Sequence, residues 1–508
     1  MTLKKRFFLY WILLLTAIPA QGDLRFLLPP VSSPAIMYAA FHPMAEYLGK
    51  IAGSPVHLTF SPSLRAFYLE AEKVRPQIVL FCPIAYLRVT HQKSYIPLAG
   101  LNPPPGGNKS LIVVRKDSPV RNILQLRGKR FVIGNPACAA SALVPLSLLR
   151  EIGIRTTEFR DLHQSGSDIN ALMDVSARFY DATAVAANIA APYIQAGDLR
   201  AIARMDVGPG DLIAASGKVR MPVRQKIRQA LLDMADQDPA ALKALSMLAT
   251  GFHPLVPGTY EPLRALYADF YGMDLPPRHR GKFLRLGIPP AYSPLNAARI
   301  FHPLQEILSS LMGSPVEISV PRDESAYLRG ILNGDYSFAL LSPLMDRAVG
   351  KHMRELASLL PAPGSRGLAI VSLAGHRRNS SPGAPIQVAY SSPYCSAGSI
   401  MRREIRHLAD GHPLVWEPTR SESAVFSALA AGKADWGVVR APTIEALARE
   451  TPDTWKTRGV GGPAPEWILA GTRKLPQARI SELHMALLSL PQNALAGSGF
   501  WKIQDSPP

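Results

Sequence analysis

The side chains best suited to chemistry in this chain are thiols. Cys82, Cys138 and Cys395 are its three cysteines, too few for a disulfide framework in 508 residues. Two of them stand in matching contexts, Pro136-Ala137-Cys138 and Pro393-Tyr394-Cys395, so one thiol position occurs twice. A thiol where a helix begins can have a lowered pKa and act as a nucleophile or soft-metal ligand. The plainer alternative is a small apolar residue buried beneath a loop. His42 and His302 also recur, each between Phe and Pro. Neither has a second ligand at metal-site spacing, so no metal is expected. The chain carries no Ser-His-Asp signature, no paired carboxylates on one helix face, no HExxH and no Gly-rich phosphate loop. No catalytic set and no cofactor are expected, and the chain reads as a non-enzyme.

What positions these residues is an internal duplication. Leu24-Arg25-Phe26-Leu27-Leu28-Pro29-Pro30 is echoed, 260 residues on, by Leu284-Arg285-Leu286-Gly287-Ile288-Pro289-Pro290. The same shift carries Phe41-His42-Pro43 to Phe301-His302-Pro303 and Gly53-Ser54-Pro55-Val56 to Gly313-Ser314-Pro315-Val316. Later the offset slips as loops differ in length, to 257 at the cysteines and 254 between Asp181 and Asp435. Chance gives one such match, not a series at a near-constant offset. Each copy alternates short apolar runs with helical periodicity: Leu24–Leu28, then Met44, Tyr47, Leu48 and Ile51 on one face, then Val56–Phe60 and Ile78–Phe81. That alternation predicts an α/β fold with two tandem bilobed modules, each of two mixed, mostly parallel sheets flanked by helices. Ligands are then expected at the carboxyl ends of strands. The expected organisation is a signal peptide over 1–22, a first module over 23–272, a proline-stiffened linker over 273–282 and a second module over 283–508.

The order and spacing of several motifs resemble the phosphate, phosphite and phosphonate substrate-binding proteins of ABC importers, a branch of the type 2 periplasmic-binding fold. The resemblance rests on Phe41-His42-Pro43-Met44-Ala45-Glu46-Tyr47-Leu48, Cys82-Pro83-Ile84-Ala85-Tyr86, Leu111-Ile112-Val113-Val114-Arg115-Lys116-Asp117-Ser118, and Leu126-Arg127-Gly128-Lys129-Arg130-Phe131, with Asn135-Pro136 opening the binding loop. It covers nearly all of the chain after the signal, and is weaker in the second copy. It implies two lobes per copy that close on a ligand, with oxyanions held at a helix start. By this resemblance the ligand positions are Cys82, Tyr86, Asn135, Cys138, Ala139, Ala140, Ser141, Ser167 and Asp168 in the first copy. Those in the second are Ser342, Ser392, Cys395, Ser396, Gly398, Ser421 and Glu422.

Where the family usually carries a run of hydroxyls and a Gly, the first copy reads Cys138-Ala139-Ala140-Ser141 and the second Cys395-Ser396-Ala397-Gly398. Each lost donor leaves an anionic oxygen unpaired in a closed cleft, at about 1–3 kcal/mol. A Ser-His pair of the family is matched by Ser167-Asp168 and Ser421-Glu422, and an acid in place of His repels an anion or attracts a cation. The family fold also implies that Cys82 faces the binding loop from the opposite lobe. Two thiols there suggest Cu(I), arsenite or a disulfide locking the lobes.

The start of the chain, with Lys4, Lys5 and Arg6 before the apolar run Phe7–Leu15, has the layout of a secretory signal. No further stretch of about 20 apolar residues follows, so the exported chain is expected to be water-soluble and periplasmic. Its formal charge of +18 is not gathered into a basic run interleaved with aromatics, and nucleic acid is not an expected partner. The expected partners are a small-molecule ligand and either an ABC permease or a membrane-bound sensor kinase. The competing reading is a structural or interaction module whose clefts have decayed.

Overall fold

The computed structural model describes residues 22–504 apart from 32, 90–94, 137, 247, 257, 273–283, 291–293, 322, 362–365, 376–382, 392–404, 420, 464–466, 492–494 and 496–499. The expected linker and all but the last residue of the expected signal segment lie outside the described residues.

In the first copy the strands are β1 (Leu24–Leu28), β2 (Val56–Phe60), β3 (Ile78–Phe81), β4 (Tyr95–Asn102), β5 (Lys109–Arg115), β6 (Arg130–Ile133), β7 (Asp161–Gln164), β8 (Ala182–Ala186), β9 (Leu199–Asp206), β10 (Leu212–Ser216) and β11 (Gly251–His253). The second copy supplies β12 (Leu284–Gly287), β13 (Val316–Ser319), β14 (Phe338–Leu341), β15 (Met353–Pro361), β16 (Arg366–Leu373), β17 (Ile386–Ser391), β18 (Leu414–Thr419), β19 (Trp436–Arg440), β20 (Trp455–Pro463), β21 (Trp467–Thr472) and β22 (Phe500–Gln504). The helices that bear on the candidate sites are α1 (Pro34–Ala52), α2 (Val144–Glu151), α3 (Asp168–Ser176), α4 (Glu261–Tyr271), α5 (Pro294–Met312) and α6 (Glu422–Ala430).

The duplication is written into the topology. One sheet of the first copy runs β11-β4-β10-β3-β1-β2 and one of the second runs β22-β15-β21-β14-β12-β13; the other pair runs β7-β6-β8-β5-β9 and β18-β17-β19-β16-β20. Adding eleven to each label of the first copy gives the second. Registers agree as well: Leu24 lies opposite Val56 as Leu284 lies opposite Val316. Even the irregularities recur, with a bulge at Ile112/Val113 in β5 and at Ile370/Val371 in β16.

Each sheet is mixed. The β-α-β segments pair in parallel, as β1 does with β2 and β3. The strands that return from the other sheet of the same copy pair antiparallel, as β10 does with β3 and β4. A returning strand enters from the opposite end, so the expectation of mostly parallel pairing holds only for the β-α-β part.

Local sequence explains the elements. α1 starts at Ser33, whose hydroxyl accepts from the Ile36 N–H at 3.4 Å, and has Pro34 in its first turn, where a missing N–H costs nothing. It stops at Gly53 with φ 70°, a left-handed conformation that favours Gly. Met37, Phe41, Met44 and Leu48 line its buried face, and Phe41 meets Phe26 of β1 edge-on at 5.9 Å. Each such side chain contributes about 1.5–3 kcal/mol by burial.

The chain condenses into two compact units. Of the described residues, those up to Pro104 with Gly210–Leu255 form one, and those of Pro105–Pro209 with Val256 onward form the other. The β5–β9 sheet of the first copy therefore shares a unit with the second copy, a grouping that differs from the module boundaries expected from the repeat. The physical reason lies at the end of α2. The Glu151 carbonyl accepts from the Ser423 and Ser427 hydroxyls at 3.1 and 3.3 Å. Arg127 donates to the Ala430 carbonyl at 2.6 Å. Gly153, at φ +86°, would set a Cβ only 3.0 Å from the Ser427 Cα, so α6 packs where any other residue would collide.

Candidate functional site

In the first copy the expected binding loop leaves β6 and enters a π-turn over Ala139–Leu143 that continues into α2. Cys138 sits at the entrance, with its N–H donating to the Asn135 carbonyl at 3.0 Å. The Ser141 hydroxyl donates to Asp168 Oδ1, and the Ala186 N–H donates to Asp168 Oδ2 at 3.2 Å. Asp168 thus ties the loop, the start of α3 and the end of β8 together. Gly134 makes room for it: a Cβ there would lie 2.7 Å from the Asp168 nitrogen.

Burial raises the Asp168 carboxyl above its ordinary range, against the pull of the Ser141 and Ala186 hydrogen bonds. Burial, then Asp168, push the Cys138 thiol up to about 11, against the Ser141 hydroxyl and the Ser141 and Ala140 N–H groups. The lowered, reactive thiol that a helix start suggests is therefore corrected: low dielectric and a neighbouring acid outweigh the helix-start donors.

The equivalent acid of the second copy is Glu422, buried at the start of α6. It accepts from the Arg440 N–H at 2.9 Å, from Arg440 Nε at 3.0 Å and from the Thr443 hydroxyl at 2.6 Å. Both acids clasp the end of a central strand. Only the second adds a buried guanidinium.

Ser167 and Ser421 are helix caps, accepting from the Asn170 and Ala424 N–H groups at 3.2 Å each. Ser342 caps the Pro343–Val349 helix through the Met345 N–H at 3.2 Å. Cys82 and Tyr86 belong to the first unit. The Cys82 carbonyl accepts from the Tyr86 N–H at 2.9 Å, and the Tyr86 ring is buried edge-on against Phe81 at 5.8 Å. Asn135, Cys138, Ala139, Ala140, Ser141, Ser167 and Asp168 lie in the second unit, where Cys138, Ser141 and Asp168 form one cluster. Ser392, Cys395, Ser396 and Gly398 lie outside the described residues. Among the described residues no group of three or more His, Cys, Asp and Glu side chains is placed to hold a metal, and no helix is long and apolar enough to cross a membrane.

Sequence reasoning missed a cavity of about 550 Å³ within the second unit. Pro290, just beyond β12, and Val320-Pro321, just beyond β13, form one wall; Ser421 and Ser423 at the start of α6 form another. These are the carboxyl ends of the second copy's strands. The first copy closes it with Ser147, Arg150 and Glu151 of α2, and α4 adds Leu266 and Asp269. Nothing in Leu148-Leu149-Arg150-Glu151 distinguishes it from a solvated helix end, so no sequence signal marked it.

Two pairs of topologically matching mixed sheets, with helix starts at the carboxyl ends of their parallel strands, define a tandem periplasmic-binding-protein fold. The chain belongs to the family described as ABC transporter, phosphonate, periplasmic substrate-binding protein, whose model matches residues 26–260 and again 286–503.

Among solved structures it is similar to PhnD1 from Prochlorococcus marinus in complex with methylphosphonate, at 16% identity and a TM-score of 0.46, over 49% of this chain and 99% of that one. The alkanesulfonate-binding protein SsuA from Xanthomonas axonopodis pv. citri, bound to MOPS, matches at 19% identity and TM-score 0.39 over 51% and 95%. The B. pertussis BvgS periplasmic domain matches at 16% and 0.32 over 96% and 91%. No curated protein matches the chain.

Proposed function

We propose that this chain is an exported solute-binding protein that captures a small molecule in the periplasm for an ABC permease or a membrane-bound sensor kinase. The observation that carries the reading is the family match, which spans both copies. Residues 1–22 act as a signal peptide removed on export, and the exported chain binds without catalysing a reaction. N-terminal sequencing of the exported chain is expected to begin at Gln21 or Asp23.

The ligand of the first copy is not a tightly held phosphate or phosphonate. Ala139 and Ala140 offer no hydroxyls, and the Ser141 hydroxyl is already donated to Asp168. A buried acid beside the helix start repels an anion when ionised. The raised Cys138 thiol disfavours soft-metal capture for the same reason that it disfavours the thiolate. Calorimetry of the exported chain against phosphate, methylphosphonate and a panel of neutral and cationic solutes tests this. The expected result is micromolar or weaker phosphate binding and tighter binding of at least one other solute. Sub-micromolar phosphate binding overturns the specificity, and a panel without any binder overturns solute capture.

A further inference from the structure

We propose that the cavity closed between the first copy's α2 and the second copy's strand ends binds a small organic monocation, an amine on an apolar body, through Glu151 and Ser147. The inference rests on the solute-binding reading and names a ligand class for this cavity.

The volume of about 550 Å³ lies within the usual range for small-molecule sites. Leu266, Pro290, Val320 and Pro321 supply apolar wall for the body of a ligand. The Ser147 side chain is buried, with the residue only 8% exposed, and its hydroxyl has no hydrogen-bond partner among the described residues. A buried hydroxyl left unpaired is destabilising, and a ligand donor or acceptor at this wall would relieve that.

Charge decides the sign of the ligand. Arg150 is committed: its guanidinium pairs with the Asp269 carboxylate and donates to the Asp269 carbonyl at 2.8 Å. Glu151 has no ion pair among the described residues, while its own carbonyl is taken by Ser423 and Ser427. Glu422 lies close enough to disfavour ionisation of Glu151, but Arg440 already pairs with it. Among the described residues the walls therefore carry one carboxylate without an ion pair. An anion would meet Glu151, since Arg150 and Asp269 already neutralise one another; an ammonium group would pair with Glu151 and donate to Ser147. Burial, then Glu422, push the Glu151 carboxyl up to about 7, so its ionised form is poised to be drawn out by a cation, with release of a proton.

Calorimetry of the full exported chain with cyclohexylamine tests the site, with cyclohexanol and cyclohexanecarboxylate as neutral and anionic counterparts. The amine alone is expected to bind, and about tenfold more tightly at pH 8 than at pH 6, following the ionised fraction of a carboxyl titrating near pH 7. Glu151→Gln should remove that pH dependence and weaken binding at least tenfold, while Ser147→Ala weakens it several-fold. A cooperative thermal transition in each variant shows that it remains folded. Absence of amine binding, equal binding of amine and alcohol, or an unchanged affinity in folded Glu151→Gln overturns the inference. If the chain still binds another solute of the panel in that case, solute capture survives and only this site fails.

Discussion

The two copies solve one local problem with different chemistry. In the first, Asp168 joins the binding loop to the end of β8 through the Ser141 hydroxyl and the Ala186 N–H. In the second, the longer Glu422 reaches the Arg440 N–H and takes the Arg440 guanidinium and the Thr443 hydroxyl as well. The backbone clasp is common to both; the side-chain partner is not. An acid that replaces a family histidine beside a ligand loop suggests an altered ligand, yet in both copies its oxygens hold the lobe together. Position in a motif does not give function until the partners of the side chain are known.

The contrast predicts unequal costs. Glu422→Ala strands the buried Arg440 charge, because the two side chains are 4% and 9% exposed, and it should cost about 3–5 kcal/mol in urea unfolding. Asp168→Ala removes hydrogen bonds but leaves no buried cation, and about 1–3 kcal/mol is expected by the same measurement. Equal losses would mean that the Arg440 pair adds nothing beyond the shared clasp.

Each of the two compact units holds a carboxyl raised by burial. Burial pushes Asp211 of the first unit and Glu151 of the second each up to about 7, from ordinary values of 3.8 and 4.5. A raised carboxyl holds its proton in the folded chain after the unfolded chain has lost it. Its stabilising contribution is whole below the ordinary value and lost as pH rises through about 7. Melting temperature should therefore fall between about pH 5 and pH 7. At pH 8, Asp211→Asn and Glu151→Gln should each melt roughly 2–4 °C higher than the natural chain. A flat profile in one variant alone would identify which unit sets the transition. The smallest effect belongs to the junction within the second unit: Ser427→Ala loses one hydrogen bond to the Glu151 carbonyl, and about 0.5–1.5 kcal/mol is expected from urea unfolding.

By itself the sequence determined the duplication, the α/β class and the family, because repeated turns, caps and apolar runs are local and survive divergence: Ser33-Pro34 still starts α1, and Gly53 and Gly313 still end equivalent helices with φ of 70° and 60°. Ser167 and Ser421, read from the sequence as ligand positions, are the caps of α3 and α6, a role that a Ser one step ahead of a helix also fits. What the sequence could not carry was partnership across long separations. Asp168 with Ser141, Glu422 with Arg440, and Glu151 with Ser423 and Ser427 are pairings made by sheet order and helix packing. Only the tertiary structure decided that a helix-start thiol lies beside a buried acid, and that the end of one copy's helix closes a cavity in the other. The physical reason is that burial and charge act through space, where neighbours 272 residues apart, such as Glu151 and Ser423, count as adjacent.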